Sequence, residues 1–250
     1  MKISLKFLLL AYISLISGCT SSNSDNGMRA KYTKQPIIID GKLDDQAWKN
    51  AKIYTLHLSK DKLEKGEALM ESGEVQVAWD DHYLYLGIKF QDSNILATGD
   101  KDQIHHYRFG DLCELFLKPA NEENYVELYV TPHNKKTSFY IPNQKGGGPS
   151  QLDDLICGLK VAAYVGDGTL NKRDDHDKWW SGEMAMPVKD LEKLGEKVSS
   201  GSKWKILVAR YNYLKSVGKD NDEIEYSMTP SLSKTSYHLI DEYAELHLVK

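Results

Sequence analysis

Long apolar runs, cysteine, excess positive charge and helix signals are all scarce in this 250-residue chain. After residue 18 no stretch is apolar enough to cross a bilayer as a helix, so the bulk of the chain is expected to sit in water. The formal net charge is -4, which argues against nucleic acid as a partner, since polyanions select basic surfaces. Three cysteines are all the chain has; a chain of this size can bury about 70% of its unfolded surface and needs no staples. No Gly-x-Ser-x-Gly nucleophile turn and no phosphate-cradling glycine loop is present, because Gly146-Gly147-Gly148 lacks the strand-to-helix setting such loops require. No internal repeat of fixed period is visible.

The N-terminus carries a different kind of signal. Lys2 and Lys6 precede an apolar run from Phe7 to Ile16, broken only by Ser14, that is too short to span a bilayer comfortably. It ends in Ile16-Ser17-Gly18-Cys19, which resembles the bacterial lipobox, where the cysteine thiol receives a diacylglycerol. Residues 1–18 are therefore expected to be a lipoprotein signal peptide, with Cys19 lipidated and an outer-membrane address in the cell envelope. The membrane would be met through that lipid only. Loss of Lys2 and Lys6 would move the formal charge from -4 to -6. Residues 19–31 read as a flexible tether, because Thr20 to Gly27 has almost nothing to bury. Cys113 and Cys157 remain, and could either pair or stay apart, Cys113 as a small buried hydrophobe.

From residue 32 to 250 the pattern is that of one domain built of strands. Val75, Val77 and Trp79 alternate with polar residues, Asp80-Asp81 makes a turn, and Tyr83 to Phe90 returns. Further strands are expected over Leu112 to Leu117, Tyr125 to Val130, Thr137 to Ile141, Leu159 to Val165, Trp179 to Met186, Trp204 to Tyr211 and Tyr243 to Val249. Only Asp44 to Lys49 and Val188 to Leu194 read as short helices. The fold class expected is all-β, an antiparallel sandwich or barrel.

The order of motifs resembles the family 9 carbohydrate-binding modules. The matching pieces are Ile39-Asp40-Gly41 through Trp48, Val77 to Asp81 with Tyr83 to Gly87 and Asp92, Asp111 to Leu117, Trp180 with Glu183 to Pro187, and Trp204 to Arg210. The resemblance covers about residues 36 to 250. It implies an antiparallel β-sandwich of jelly-roll or immunoglobulin-like type that binds a glycan, sometimes with structural calcium, for which Asp92, Asp100, Asp102 and Asp111 are the oxygen donors to consider; no hydrolase domain fits in the chain, and no enzymatic activity is expected of it. Modules of that family clamp a sugar between two tryptophans, whereas the five tryptophans here fall in scaffold-like segments.

The candidate ligand contacts therefore lie elsewhere. The loop from Asp100 to Asp111 carries His105, His106, Tyr107 and Arg108; the end of the strand beginning at Trp204 carries Arg210, Tyr211 and Asn212; a late loop carries Tyr237 and His238. Tyrosine can stack on a sugar's C–H face while its hydroxyl hydrogen-bonds, and arginine supplies fork-like donors. Arg210 could instead pair with a carboxylate such as Glu114 or Glu127. Glycoside hydrolysis needs two carboxylates facing each other across a cleft; Glu114, Glu127 and Glu183 lie in strands with nothing to mark one as acid and another as base. Adjacent His105-His106 does not suggest zinc. The rival readings are a haem b site using Met184 or Met186 with His105 or His106, and a structural or adhesion module with no small ligand.

Overall fold

The computed structural model describes residues 27–143, 150–151, 158–173, 175–217 and 223–250. The expected signal peptide, Cys19, the Gly146-Gly147-Gly148 run and Cys157 lie outside the described residues, and with Cys157 any pairing to Cys113.

In chain order the elements are β1 (Met28–Tyr32), α1 (Gln46–Asn50), β2 (Ile53–Thr55), α2 (Lys60–Glu64), β3 (Gly73–Trp79), β4 (Tyr83–Gln91), β5 (Leu112–Pro119), β6 (Tyr125–Val130), β7 (Lys136–Ile141), β8 (Ser150–Gln151), β9 (Lys160–Asp167), β10 (Trp179–Pro187), α3 (Val188–Leu191), β11 (Trp204–Tyr213), β12 (Ile224–Thr229) and β13 (Ala244–Val249). Single 3₁₀ turns occupy His106–Arg108, Glu192–Leu194 and Ile240–Glu242. All nine strand spans expected from alternation are present, most of them one or two residues longer at one end.

The strands form one continuous sheet in the order β8-β7-β6-β5-β11-β13-β1-β3-β4-β10-β9, with β12 paired to β11 and β2 to β3. The path folds back on itself, so that the β5–β7 and β11 half faces the β3, β4 and β10 half across one core. Val75, Val77, Trp79, Leu84, Leu86, Ile88, Phe90, Met184 and Met186 meet Cys113, Leu115, Leu117, Val126, Leu128, Ile206 and Val208 there. Period-two alternation explains the membership, since each of these strands sends every second residue inward.

Two expectations need correction. Residues 28–31 are not tether: β1 lies between β13 and β3, with Met28 opposite Leu246 and Lys31 opposite Ala78, and Met28 and Ala30 are buried. Five residues are enough because two neighbours supply the hydrogen bonds. Both of those pairings are parallel, so the sheet is mixed rather than purely antiparallel.

The outer face of β3, β4 and β10 is covered by the segment 37–51. Ile37 and Trp48 pack against Ala78, Tyr85 and Ala185. The Gln76 side-chain amide donates to the carbonyls of Trp48 (2.6 Å) and Ala51 (3.2 Å). Asp80 holds the β3–β4 turn by accepting from His82 N and Tyr83 N, both at 2.7 Å, and from the Tyr85 hydroxyl at 2.7 Å.

Candidate functional site

The opposite half of the sheet presents a second, more polar face. On β5 Leu112, Glu114 and Phe116 alternate with the core-facing Cys113, Leu115 and Leu117; on β6 Tyr125, Glu127 and Tyr129 do the same, and on β11 Leu207, Ala209 and Tyr211. Register sets Glu114 beside Tyr129 on one side and Ala209 on the other, and Glu127 beside Phe116. Such a face would ordinarily meet water. Here Leu232, Tyr237, Ile240 and Tyr243 from the chain after β12 pack onto it and bury much of it.

What they leave open is a cavity of about 480 Å³ lined by Tyr107, Glu114, Glu127, Tyr129, Tyr211, Tyr226, Thr235, Ser236, Tyr237 and His238. Tyr211 stands at its centre, with ring centroids 6.1 Å from Tyr107, 4.9 Å from Tyr226 and 5.8 Å from Tyr237. Several aromatic faces and a few convergent polar groups in a concave space are what small-molecule sites are made of.

Tyr107 is held there by the loop that carries it. Its carbonyl accepts from the Tyr213 hydroxyl at 2.6 Å. The ring of His105 stacks on Phe139 at 5.4 Å and meets Tyr107 edge-on at 5.5 Å. His106 is buried, with Nδ1 2.7 Å from the Thr137 hydroxyl. Asp111, at the loop's end, accepts from Leu96 N and Tyr213 N, both at 2.6 Å.

The expected contacts thus divide. Tyr107, Tyr211 and Tyr237 line the cavity. His105 and His106 brace the loop from behind, and Arg108 is exposed, its guanidinium 5.5 Å from the Tyr107 ring and outside the lining. Arg210 and Asn212 are corrections: they belong to β11, which runs to Tyr213, so alternation turns them to the side opposite Tyr211. Arg210 is fully buried, donating to Asp92 at 3.0 Å and Asn212 at 2.9 Å, with Glu71 3.6 Å away. Its partners are therefore Asp92 and Glu71, neither Glu114 nor Glu127.

The four aspartates considered for calcium do not form a cage. No cluster of three or more metal-ligating groups occurs among the described residues. Asp92 is occupied by Asn94 N, Trp180 Nε1 and Arg210, and Asp111 by the two backbone donors above. Asp100 and Asp102 are exposed, Asp102 accepting from Lys136 N at 3.1 Å. The haem reading fails on the same geometric ground, since Met184 and Met186 are sealed in the core between the sheet halves, away from both histidines' side of the sheet.

The two carboxyls in the cavity were the residues that sequence reasoning undervalued. Glu114 is 2% and Glu127 3% exposed. Burial pushes Glu127 up to about 7. Burial, and then the charge of Glu127, push Glu114 well above the usual carboxylate range. The Tyr129 hydroxyl donates to Glu127 Oε2 at 3.1 Å, while Glu127 Oε1 is buried without a hydrogen-bond donor. The detectable signal was the Tyr125-x-Glu127-x-Tyr129 alternation, which puts all three on one face.

A pH dependence follows. Glu127 in the folded state, and likewise Glu183, which burial also raises to about 7, hold protons that the unfolded chain has released. Their contribution to stability is full below the unfolded pKa and is lost as pH rises through about 7. The melting temperature should fall by about 5 °C or more between about pH 5 and pH 8, and Glu127→Gln should flatten that slope. A flat profile in the parent protein would contradict the assignment.

Residues 39–146 match the model of the family described as carbohydrate family 9 binding domain-like. No curated protein matches the sequence. Among solved structures, a putative carbohydrate-binding protein from Bacteroides uniformis ATCC 8492 superposes with a TM-score of 0.67 at 12% identity, covering 88% of this chain and 98% of that one. A family 9 carbohydrate-binding module from Caldicellulosiruptor kristjanssonii in complex with cellotriose gives 0.54 at 15% identity, over 89% and 93%. The complex of a family 9 module from the same organism with glucose gives 0.52 at 14%, over 88% and 95%. At these identities the likeness shows the fold.

Proposed function

Starting from a chain whose residues 39–146 match the carbohydrate family 9 binding domain-like model, we propose that the tyrosine-lined cavity holds one or two sugar rings and that the protein performs no chemistry on them. The observation that carries this reading is the Tyr107–Tyr211–Tyr226 set bordering a cavity of about 480 Å³ with polar groups on its floor. Tyrosine faces suit the apolar C–H face of a pyranose, and the hydroxyls and carboxyls suit its rim. The modules of similar fold that hold cellotriose and glucose support the same class of ligand.

Catalysis is disfavoured by the placement of the carboxyls. Glu114 and Glu127 stand on adjacent strands of one sheet floor, displaced diagonally across the β5–β6 pair, and do not face each other across a cleft with the scissile bond between them. With export, lipidation at Cys19 and an outer-membrane anchor, the domain would capture glycan at the cell envelope for separate hydrolases in polysaccharide catabolism.

Titration of the purified protein with glucose and with cellotriose tests the proposal. Tyr211→Ala should weaken binding by about 10- to 100-fold, the loss of a central aromatic contact of ~1–3 kcal/mol, with the melting temperature changed by no more than a few degrees. Unaltered affinity in Tyr211→Ala, or no saturable binding of any neutral or charged sugar by the parent, would overturn it.

A further inference from the structure

The cavity is acidic as well as aromatic, and the side chains that line it include no lysine or arginine. Two glutamates, each at least nine-tenths buried, share it with five tyrosines. The neutralising groups that a buried carboxylate pair ordinarily requires are supplied here by one phenol, Tyr129, and by His238 at the rim, whose Nδ1 is 3.4 Å from Glu127 Oε1 but hydrogen-bonds the Tyr125 hydroxyl at 2.9 Å. Glu127 Oε1 is thus left buried, facing the cavity, with no hydrogen-bond donor. Elsewhere in the same protein a buried carboxylate is met by a full set of donors: Asp92 by Arg210, Trp180 and Asn94, and Glu183 by Trp48, Asp40 and Gly41. Within the cavity, Glu127 Oε1 is the carboxyl oxygen that stays without a donor.

Aromatic faces around an acidic floor form a receptor for an ammonium group. The negative face of each ring attracts a cation, more strongly once water is excluded, and an N–H₃⁺ group brings three donors to a floor where Glu127 Oε1 has none. Resting on the sugar-binding reading above, we infer that the ligand is an amino sugar with a free ammonium group, a hexosamine unit of a deacetylated glycan, recognised by Glu114 and Glu127 at the floor and by Tyr107, Tyr211 and Tyr226 around it. A neutral hexose fills the same space and leaves Glu127 Oε1 with a weaker donor; an N-acetylated sugar brings an amide of added bulk and no charge.

The full-length protein is titrated calorimetrically at about pH 7, where the amine is still largely charged and Glu127, raised to about 7, can give up its proton to an incoming ammonium, with glucosamine and its β-1,4-linked dimer, with N-acetylglucosamine, and with glucose and cellobiose. The amino sugars should bind on the order of tenfold more tightly than their neutral counterparts. Glu127→Gln should reduce that preference to about twofold or less, read as the ratio of amino-sugar to neutral-sugar affinity within the one variant, and Glu114→Gln provides the same test on the second carboxyl. Equal affinity for amino and neutral sugars, or a preference that survives both substitutions, overturns this inference and leaves sugar binding standing. Failure of all five sugars to bind overturns both.

Discussion

Arg210→Ala should destabilise the domain by about 3–5 kcal/mol and lower its melting temperature by roughly 10 °C. Arg210 is fully enclosed, its guanidinium between the Asp92 carboxylate at 3.0 Å, the Asn212 amide oxygen at 2.9 Å and the Phe90 ring at 4.9 Å, with Glu71 at 3.6 Å. It is the cation that makes Asp92 tolerable in the core: burial raises that carboxyl and Arg210 pulls it down, leaving it at about 6. Removing the guanidinium leaves Asp92 and Glu71 facing each other with no positive charge between them. Asp92 must then take up a proton or the β4 end must open to water. The pair also fastens β11 to the start of the 92–111 loop, through Trp180 Nε1 on the same Asp92 oxygen at 3.2 Å. Arg210→Lys should recover only part of the loss: both hydrogen bonds leave the one nitrogen Nη2, but an ammonium lacks the planar guanidinium that lies 4.9 Å from the Phe90 ring. Thermal and urea unfolding measure both variants, and a change under about 2 °C in Arg210→Ala would show that the ion pair is dispensable.

Glu183→Ala should cost a comparable ~2–4 kcal/mol, by a different route. Glu183 is fully buried on β10 and reaches outward from the sheet to the segment 37–51. One of its oxygens accepts from Asp40 N (3.0 Å) and Gly41 N (2.8 Å), the other from Trp48 Nε1 (2.8 Å). Alanine strands three donors, two of them where water has little access. Gly41 shows how closely that segment is drawn in: its φ is +84°, and a Cβ there would lie 2.5 Å from the carbonyl carbon of Ala163. Glu183→Gln keeps one acceptor oxygen and should fall between parent and alanine. Loss of the anchor should also expose the segment to limited proteolysis before the sheet melts. Equal protease resistance in parent and Glu183→Ala would argue that Trp48 packing alone holds the segment.

These two residues show which parts of the molecule were legible in sequence. Strands with one face in the core, such as β3, β4, β6 and β10, announce themselves because burial imposes period two on the side chains. β1 did not, since Met28–Tyr32 follows a polar run and its stability comes from two neighbours distant in sequence. β12 did not either; Ile224–Thr229 carries Glu225 inward, where it caps Met70 N at 2.6 Å and Glu71 N at 3.1 Å. At the site, Tyr107, Tyr211 and Tyr237 were reachable from residue chemistry alone. Arg210 and Asn212 were misassigned with them because the strand was expected to end at Tyr211, and two further residues of strand turn neighbours onto opposite faces. Glu114 and Glu127 looked like ordinary solvent-facing strand positions. What makes them functional is the cover supplied by residues 232–243, a tertiary fact that alternation within β5 and β6 cannot carry.

The most direct test of the account is a crystal structure of the protein with a bound sugar, cellobiose and the glucosamine dimer being tried in parallel. The account predicts a pyranose ring against Tyr211 in the cavity floored by Glu114 and Glu127, with Arg210 still paired to Asp92 on the other side of the sheet. Sugar density seated on any other surface, with this cavity unchanged, would contradict it.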